Sequence, residues 1–319
     1  MKIVVLDGYT ENPGDLSWDW LDEFGTAVVY DRTAEGRIEE RIAGCEIVFT
    51  NKTPLTAVTI EKADRLKFIG VLATGFNVVD VNAARAKGIV VCNVPSYGTD
   101  SVSQFAIALL LELCHHIGHH DAAVHSRRWE HNLDWCFWDF PLVELAGKTM
   151  GIIGFGRIGH RTGQIARALG MKVVVNDRFE NPDFVSEGFE YADRSKLLET
   201  SDVIMLHCPL FPDTEKLINA ETIARMKDGV MIVNNSRGQL IDEAALADAL
   251  KRKKVAGAAV DVVSSEPIKA DNPLLAAPNC IITPHMSWAP KESRQRIMDI
   301  SRSNLSSFLE GNPQNVVNR

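Results

Sequence analysis

The chain has 319 residues, of which 45% are hydrophobic and 24% charged, with a mean hydropathy of −0.05. That apolar share can offset the entropy of ordering, so a mainly disordered chain is excluded, and the length suggests two domains. A net charge of −8 without any basic stripe excludes a nucleic-acid partner, and no apolar run approaches the ~20 residues of a bilayer span, so no membrane partner is expected.

From the N-terminus, short β-branched runs alternate with helical patterns. Ile3–Leu6 reads as a first buried strand rather than a signal peptide, because its apolar run is short and ends at Asp7. Ala27–Tyr30, Ile47–Thr50, Phe68–Leu72 and Val90–Cys92 follow as continuous apolar runs, the pattern of parallel strands covered on both faces. Ile38–Ala43 and Val79–Lys87 read as helices between them. Cys45, Cys92, Cys114, Cys136, Cys208 and Cys280 form no Cys-x-x-Cys pair. They read as reduced thiols in a cytoplasmic protein.

Ser101 to His120 reads as one long helix, apolar nearly all round, and so buried between layers, domains or subunits. The loop from Trp129 to Pro141 carries Trp129, Trp135, Trp138, Phe137 and Phe140. So much aromatic surface calls for cover, within the chain or from a partner. The helix and the loop are surfaces suited to a subunit contact. Six of the nine histidines lie between His115 and His131, and His115/His119 and His116/His120 have the i, i+4 spacing of helical zinc ligands. No acid or cysteine completes a set, so no metal is expected and the cluster reads as a helix end near a subunit contact.

The α/β rhythm restarts at Lys148. Strands are expected at Thr149–Ile153, Lys172–Asn176, Val203–Leu206, Val230–Asn234, Ala256–Val260 and Cys280–Thr283. Helices are expected at Arg157–Leu169 and Glu243–Leu250, and a last one at Pro290–Leu309 that returns to the first domain.

Gly154-Phe155-Gly156-Arg157-Ile158-Gly159 follows a strand and opens a helix, and Asp177 ends the next strand 23 residues after Gly154. This is the context of a dinucleotide fingerprint. Gly154 makes the tight turn, Gly156 admits the pyrophosphate, and Gly159 lets helix and strand pack closely. The helix N-terminus offers its free N–H groups to the phosphates. Asp177 can accept both ribose hydroxyls and repels a 2′-phosphate, which favours NAD over NADP. Arg178 beside it pulls the other way.

Three further segments lie at strand ends: Val233-Asn234-Asn235-Ser236-Arg237-Gly238, Val260-Asp261-Val262-Val263-Ser264-Ser265-Glu266-Pro267 and Thr283-Pro284-His285-Met286-Ser287-Trp288. Singly, Arg237 reads as a surface ion-pair partner, Glu266 as a loop acid and His285 as a helix cap. Together they supply what carbonyl reduction needs: a cation for the substrate, a proton donor, and a carboxylate to hold that donor.

With Gly-Phe-Gly-Arg-Ile-Gly, Asn-Ser-Arg-Gly, Asp-Val-x-x-x-Glu-Pro and Thr-Pro-His-x-Ser-Trp together, the chain resembles the D-isomer-specific 2-hydroxyacid dehydrogenase family along essentially its whole length. Tyr97–Val102 and Trp138–Pro141 look most like the hydroxypyruvate reductase (glycerate dehydrogenase) branch. The resemblance implies two doubly wound α/β domains with parallel sheets. A Rossmann NAD-binding domain, residues 101–289, would be inserted into a flavodoxin-like substrate domain formed by residues 1–100 and 290–319. It implies NAD as cofactor and a small 2-keto or 2-hydroxy acid as substrate, hydroxypyruvate first and glyoxylate with it. Taken with the apolar helix and the aromatic loop, the resemblance leads to the expectation of a homodimer. Arg237 would bind the substrate carboxylate and keto oxygen, His285 would exchange the proton, and Glu266 would fix the His285 tautomer and favour its protonated form. Backbone N–H groups at Thr74 and Gly75 would grip the carboxylate. Arg157 and Ile158 would meet the pyrophosphate, His207, Cys208 and Pro209 would flank the adenine, and Asn235 and Ser236 would line the far end of the cofactor. Asp261 would bond the nicotinamide carboxamide. Trp135 or Trp138 would either fill a dimer interface or reach a neighbouring active site. The alternatives are a dehydrogenase for another small 2-keto acid, of D-lactate type, and a non-enzymatic NADH-sensing binding protein.

Overall fold

The computed structural model describes residues 1–319, which divide into two compact units, Met1–Gly98 with Ala289–Arg319, and Thr99–Trp288. Unit 1 holds five strands: β1 (Lys2–Val5), β2 (Thr26–Val29), β3 (Ile47–Thr50), β4 (Phe68–Val71) and β5 (Val90–Cys92). They are all parallel, in the order β2-β1-β3-β4-β5, the flavodoxin-like arrangement. Ile3, Val5, Ile47, Phe49, Phe68 and Ile69 are wholly buried because helices cover both faces of the inner strands. β2 departs from the expectation of a covered strand. It is the sheet edge, and Val28 and Val29 are exposed. Two short elements, the helix Ala57–Glu61 and the 3₁₀ turn Asp19–Glu23, are too brief for periodicity to reveal. The terminal helix Lys291–Leu309 packs against β4. After it, Asn318 accepts from the Val91 N–H at 2.9 Å and donates to the Ile89 carbonyl at 2.7 Å, tying the tail to β5.

Unit 2 holds seven parallel strands: β6 (Thr149–Ile153), β7 (Lys172–Asn176), β8 (Glu190–Tyr191), β9 (Val203–Leu206), β10 (Val230–Asn234), β11 (Val255–Val260) and β12 (Cys280–Ile282). Their order is β12-β11-β10-β9-β6-β7-β8, a Rossmann sheet extended by one strand. The order reverses between β6 and β9, so the loops after these two strands flank the crevice where such sheets bind ligands.

The expected helix Ser101–His120 is not continuous. It runs Thr99–His115, breaks at His116 (φ +48°), and resumes as Ile117–His125 at a bend of 58°. Leu109, Leu110 and Leu113 of the first part are buried, and it packs on β10, β11 and the helix Arg157–Ala168. No single helix is long and apolar enough to cross a membrane, although the two bent pieces together have that length and apolarity. The break also separates the histidine pairs, which therefore do not share one helical face. Instead the histidines anchor the aromatic loop. The His119 Nε2 lies 2.7 Å from Asp139, the Asp139 N–H donates to His120 Nε2 at 3.1 Å, and the Phe140 ring sits 4.2 Å from the His116 ring. Hydrogen bonds from Arg128 and then His119 hold the Asp139 carboxyl well below the usual carboxylate range. The chain does not cover the loop itself: Trp135 is 86% exposed and Trp138 63%.

Candidate active site

The site of unit 2 is built where β6, β7, β9, β10, β11 and β12 end. Gly154 closes β6 with φ +92°, and a Cβ there would stand 2.3 Å from the Cys208 nitrogen. A Cβ at Gly159 would meet the Gly154 carbonyl oxygen at 2.2 Å, so the helix could not approach its strand. A Cβ at Gly156 would meet nothing within 4 Å. That open space lies at the N-terminus of the helix Arg157–Ala168, which has no side-chain cap. A helix N-terminus without a side-chain cap, opened by a glycine that leaves room beside it, suits a pyrophosphate, so these residues fit a dinucleotide. Arg157 is exposed and Ile158 half-buried at this turn.

Asp177 follows β7. One of its oxygens accepts the Phe155 N–H of the glycine loop at 2.5 Å and the other the Arg178 N–H at 2.7 Å. The carboxylate is thereby held beside the phosphate cradle. His207 and Cys208 follow β9 and press on the same loop. The His207 Nε2 lies 3.0 Å from the Thr162 hydroxyl, and burial of the ring pushes its pKa down to about 4. Burial pushes the Cys208 thiol up to about 11; among smaller effects Arg194 lowers it, and the Asp177 and Asp213 carboxylates raise it. Pro209 lies exposed next to it.

After β10, buried Asn234 shapes the turn that carries Arg237. Its Oδ1 accepts from the Ser236 N–H at 3.1 Å, and its Nδ2 donates to the Arg237 carbonyl at 2.9 Å. Asn235 donates to the Val102 carbonyl, and its buried Oδ1 has no partner. The Ser236 hydroxyl donates to the Cys208 carbonyl at 2.8 Å. Arg237 is exposed, with one guanidinium nitrogen on the Ser236 carbonyl at 2.7 Å. The next residue explains its position. A Cβ at Gly238 would stand 1.9 Å from the Val263 carbonyl carbon, so only glycine brings this turn against the loop that leads to Glu266.

After β11 and β12 come Glu266 and His285, 2.7 Å apart through Oε2 and Nδ1, each about one-third exposed. The other Glu266 oxygen accepts the Val263 N–H at 3.3 Å. His285 has φ +53°, rare for a side-chain-bearing residue. Its turn is built by Asp261, which is wholly buried. The Asp261 carboxylate accepts from the Thr283 hydroxyl at 2.6 Å and from the Met286 and Ser287 N–H groups at 2.9 and 2.8 Å. Both carboxylate oxygens that the carboxamide contact calls for are thus engaged by the turn in this structure. In unit 1, the Thr74 hydroxyl donates to the Val94 carbonyl at 2.8 Å and Asn93 donates to the Thr74 carbonyl at 2.7 Å. The main-chain N–H groups of Thr74 and Gly75 donate to no group within the chain.

The model of the D-isomer-specific 2-hydroxyacid dehydrogenase NAD-binding domain matches residues 107–287. Over 322 aligned residues the chain is 62% identical to hydroxypyruvate reductase of Blautia hydrogenotrophica, covering 100% of both chains. The chain belongs to the D-isomer-specific 2-hydroxyacid dehydrogenase family. A second dehydrogenase, glycerate dehydrogenase of Methylorubrum extorquens, is 42% identical over 99% of this chain and 98% of its own. Among solved structures, D-lactate dehydrogenase from Aquifex aeolicus, complexed with NAD and lactic acid, matches with a TM-score of 0.85 at 27% identity, covering 100% and 99% of the two chains. This dehydrogenase therefore uses NAD and acts on a small 2-hydroxy or 2-keto acid, and the binding-protein alternative falls away.

Sequence reasoning missed Thr162, and it gave no role to Asn234 or Gly238. Gly238 stood inside a motif already singled out, but only the Val263 backbone reveals what its missing side chain does.

Proposed function

We propose that this dehydrogenase reduces hydroxypyruvate, and with it glyoxylate, to the D-2-hydroxy acid. The observation that carries the chemistry is the 2.7 Å pair of His285 Nδ1 and Glu266. Because Glu266 engages Nδ1, Nε2 is the ring nitrogen left to give a proton to the keto oxygen and to take it back in oxidation. Arg237 binds the substrate carboxylate and polarises the keto oxygen, and in unit 1 the Thr74 and Gly75 N–H groups are the substrate-binding donors. NADH, when bound, supplies the hydride that the keto carbon receives. Gly154, Gly156, Arg157, Ile158 and Gly159 hold the pyrophosphate, and Asp177 the adenosine ribose. His207, Cys208 and Pro209 flank the adenine, with Asn235 and Ser236 towards the nicotinamide. Asp261 acts by holding the His285 turn. In domain terms, residues 1–100 with 290–319 bind substrate and 101–289 bind the dinucleotide.

The choice of substrate rests on the likeness to a hydroxypyruvate reductase and a glycerate dehydrogenase. The test is NADH oxidation by the purified chain with hydroxypyruvate, glyoxylate, pyruvate and a branched 2-keto acid. The highest kcat/KM is expected with hydroxypyruvate. A preference for pyruvate would move the substrate to the D-lactate type and keep the mechanism.

We also propose that the protein is a cytoplasmic homodimer. Exposed Trp129, Trp135, Trp138 and Leu142 supply apolar surface for a second copy, at an interface that Trp135 and Trp138 fill. Sedimentation of the chain as a monomer would overturn this.

A further inference from the structure

We propose that Asp213 is a positioning residue for cofactor choice, holding the Arg178 guanidinium away from the ribose 2′ position so that the site rejects NADP. The inference rests on the reading of Asp177 as the ribose acceptor. Arg178 follows Asp177 directly, at the end of β7, where an arginine offers a 2′-phosphate two parallel hydrogen bonds. Here it is engaged elsewhere. Its Nη2 lies 2.6 Å from Asp213 Oδ1, and its Cζ stands 4.3 Å over the Phe211 ring. Both partners come from the loop after β9, so the side chain reaches from the end of one strand to the loop after another.

That loop is itself held in place. Thr214 is 5% exposed; its hydroxyl donates to the Pro209 carbonyl at 2.8 Å and accepts the Phe211 N–H at 2.7 Å. Phe211 and Asp213 thus stand on a hydrogen-bonded turn, not on a loose strand end. Asp177 and Asp213 both act electrostatically on Cys208, so two carboxylates face this corner. With Arg178 and Asp213 paired and neutralising each other, a 2′-phosphate meets the uncompensated charge of Asp177 and no free cation from Arg178. Arg194, which acts on Cys208 as a cation, is the same in every variant below.

The test is calorimetric binding of NADH and NADPH to the full chain without substrate. In Asp213→Asn the NADPH Kd is expected to fall about three- to fivefold, the size of an exposed ion pair, while the NADH Kd moves less than twofold. Asp213→Glu should keep the wild-type ratio of the two constants, and Asp213→Asn combined with Arg178→Ala should restore it. An unchanged ratio in Asp213→Asn overturns the proposal. So does a gain that persists without Arg178, because that would be charge removal alone. If Asp177→Asn leaves the NADH Kd unmoved, the ribose reading fails and takes this proposal with it.

Discussion

The main-chain N–H of His285 donates to the carbonyl of Asp261 at 2.8 Å, while the Asp261 carboxylate takes the N–H groups of the next two residues. A left-handed histidine costs on the order of 1–3 kcal/mol and persists only when its surroundings over-determine it. Asp261 does so from beneath, and the Trp288 indole N–H adds a bond to the His285 carbonyl at 2.9 Å. Asp261→Asn puts an NH₂ where an N–H donor arrives. We expect a lower melting temperature and kcat reduced about 10- to 100-fold, the cost of one unsatisfied buried group. The NADH Kd should hardly change. A weaker NADH Kd at unchanged stability and kcat would assign Asp261 to the cofactor instead.

Removing the proton donor should separate chemistry from binding. His285→Ala is expected to lower kcat by about 10²–10⁴, the usual contribution of a general acid, with the NADH Kd held within a few-fold. Glu266→Gln keeps a hydrogen bond to Nδ1 but loses the charge, so its loss of kcat should be smaller. Stopped-flow single turnovers with excess enzyme measure both. A His285→Ala enzyme turning over at the wild-type rate would remove His285 from the reaction.

Gly238→Ala tests the packing that presents Arg237. The added carbon meets main chain at 1.9 Å, and neither loop has a flexible side-chain end to move aside. Urea unfolding should show a loss of more than about 2 kcal/mol, and any folded protein should show a raised KM for the keto acid. An unchanged midpoint and KM would mean that the two loops shift freely.

Glu11 makes stability depend on pH. Its side chain is wholly buried, with Asn51 Nδ2 at 2.5 Å and the Thr10 hydroxyl at 3.0 Å, and burial, with Asp7 adding to it, pushes its pKa from 4.5 up to about 8. The folded chain therefore holds a proton that the unfolded chain has released. Stability from this group is complete below pH 4.5 and falls as pH rises towards 8, by up to about 1.4 kcal/mol per unit. Glu11→Gln should flatten that decline in urea midpoints taken from pH 5 to 8. An equally steep decline in the variant would place the titration elsewhere.

The sequence by itself determined the two α/β rhythms, the dinucleotide fingerprint and the candidates for the reacting groups. Period and punctuation are local: a buried parallel strand must be apolar along its length, and Gly154 must turn where β6 meets a helix. Arg237, Glu266 and His285 were legible as candidates because each lies in the loop that follows a strand, and the strand ends of such a sheet share one edge. The tertiary structure decided what depends on neighbours distant in sequence. His116 breaks a helix that composition alone would continue, and its ring packs on Phe140 from the following loop. Asp261 is enclosed by a turn more than twenty residues away, a contact that no local pattern in the chain announces. Arg178 could be read as an ally of a 2′-phosphate until Asp213, 35 residues on, was seen to hold it. A side chain's type is written in the chain, but its partner is chosen by packing.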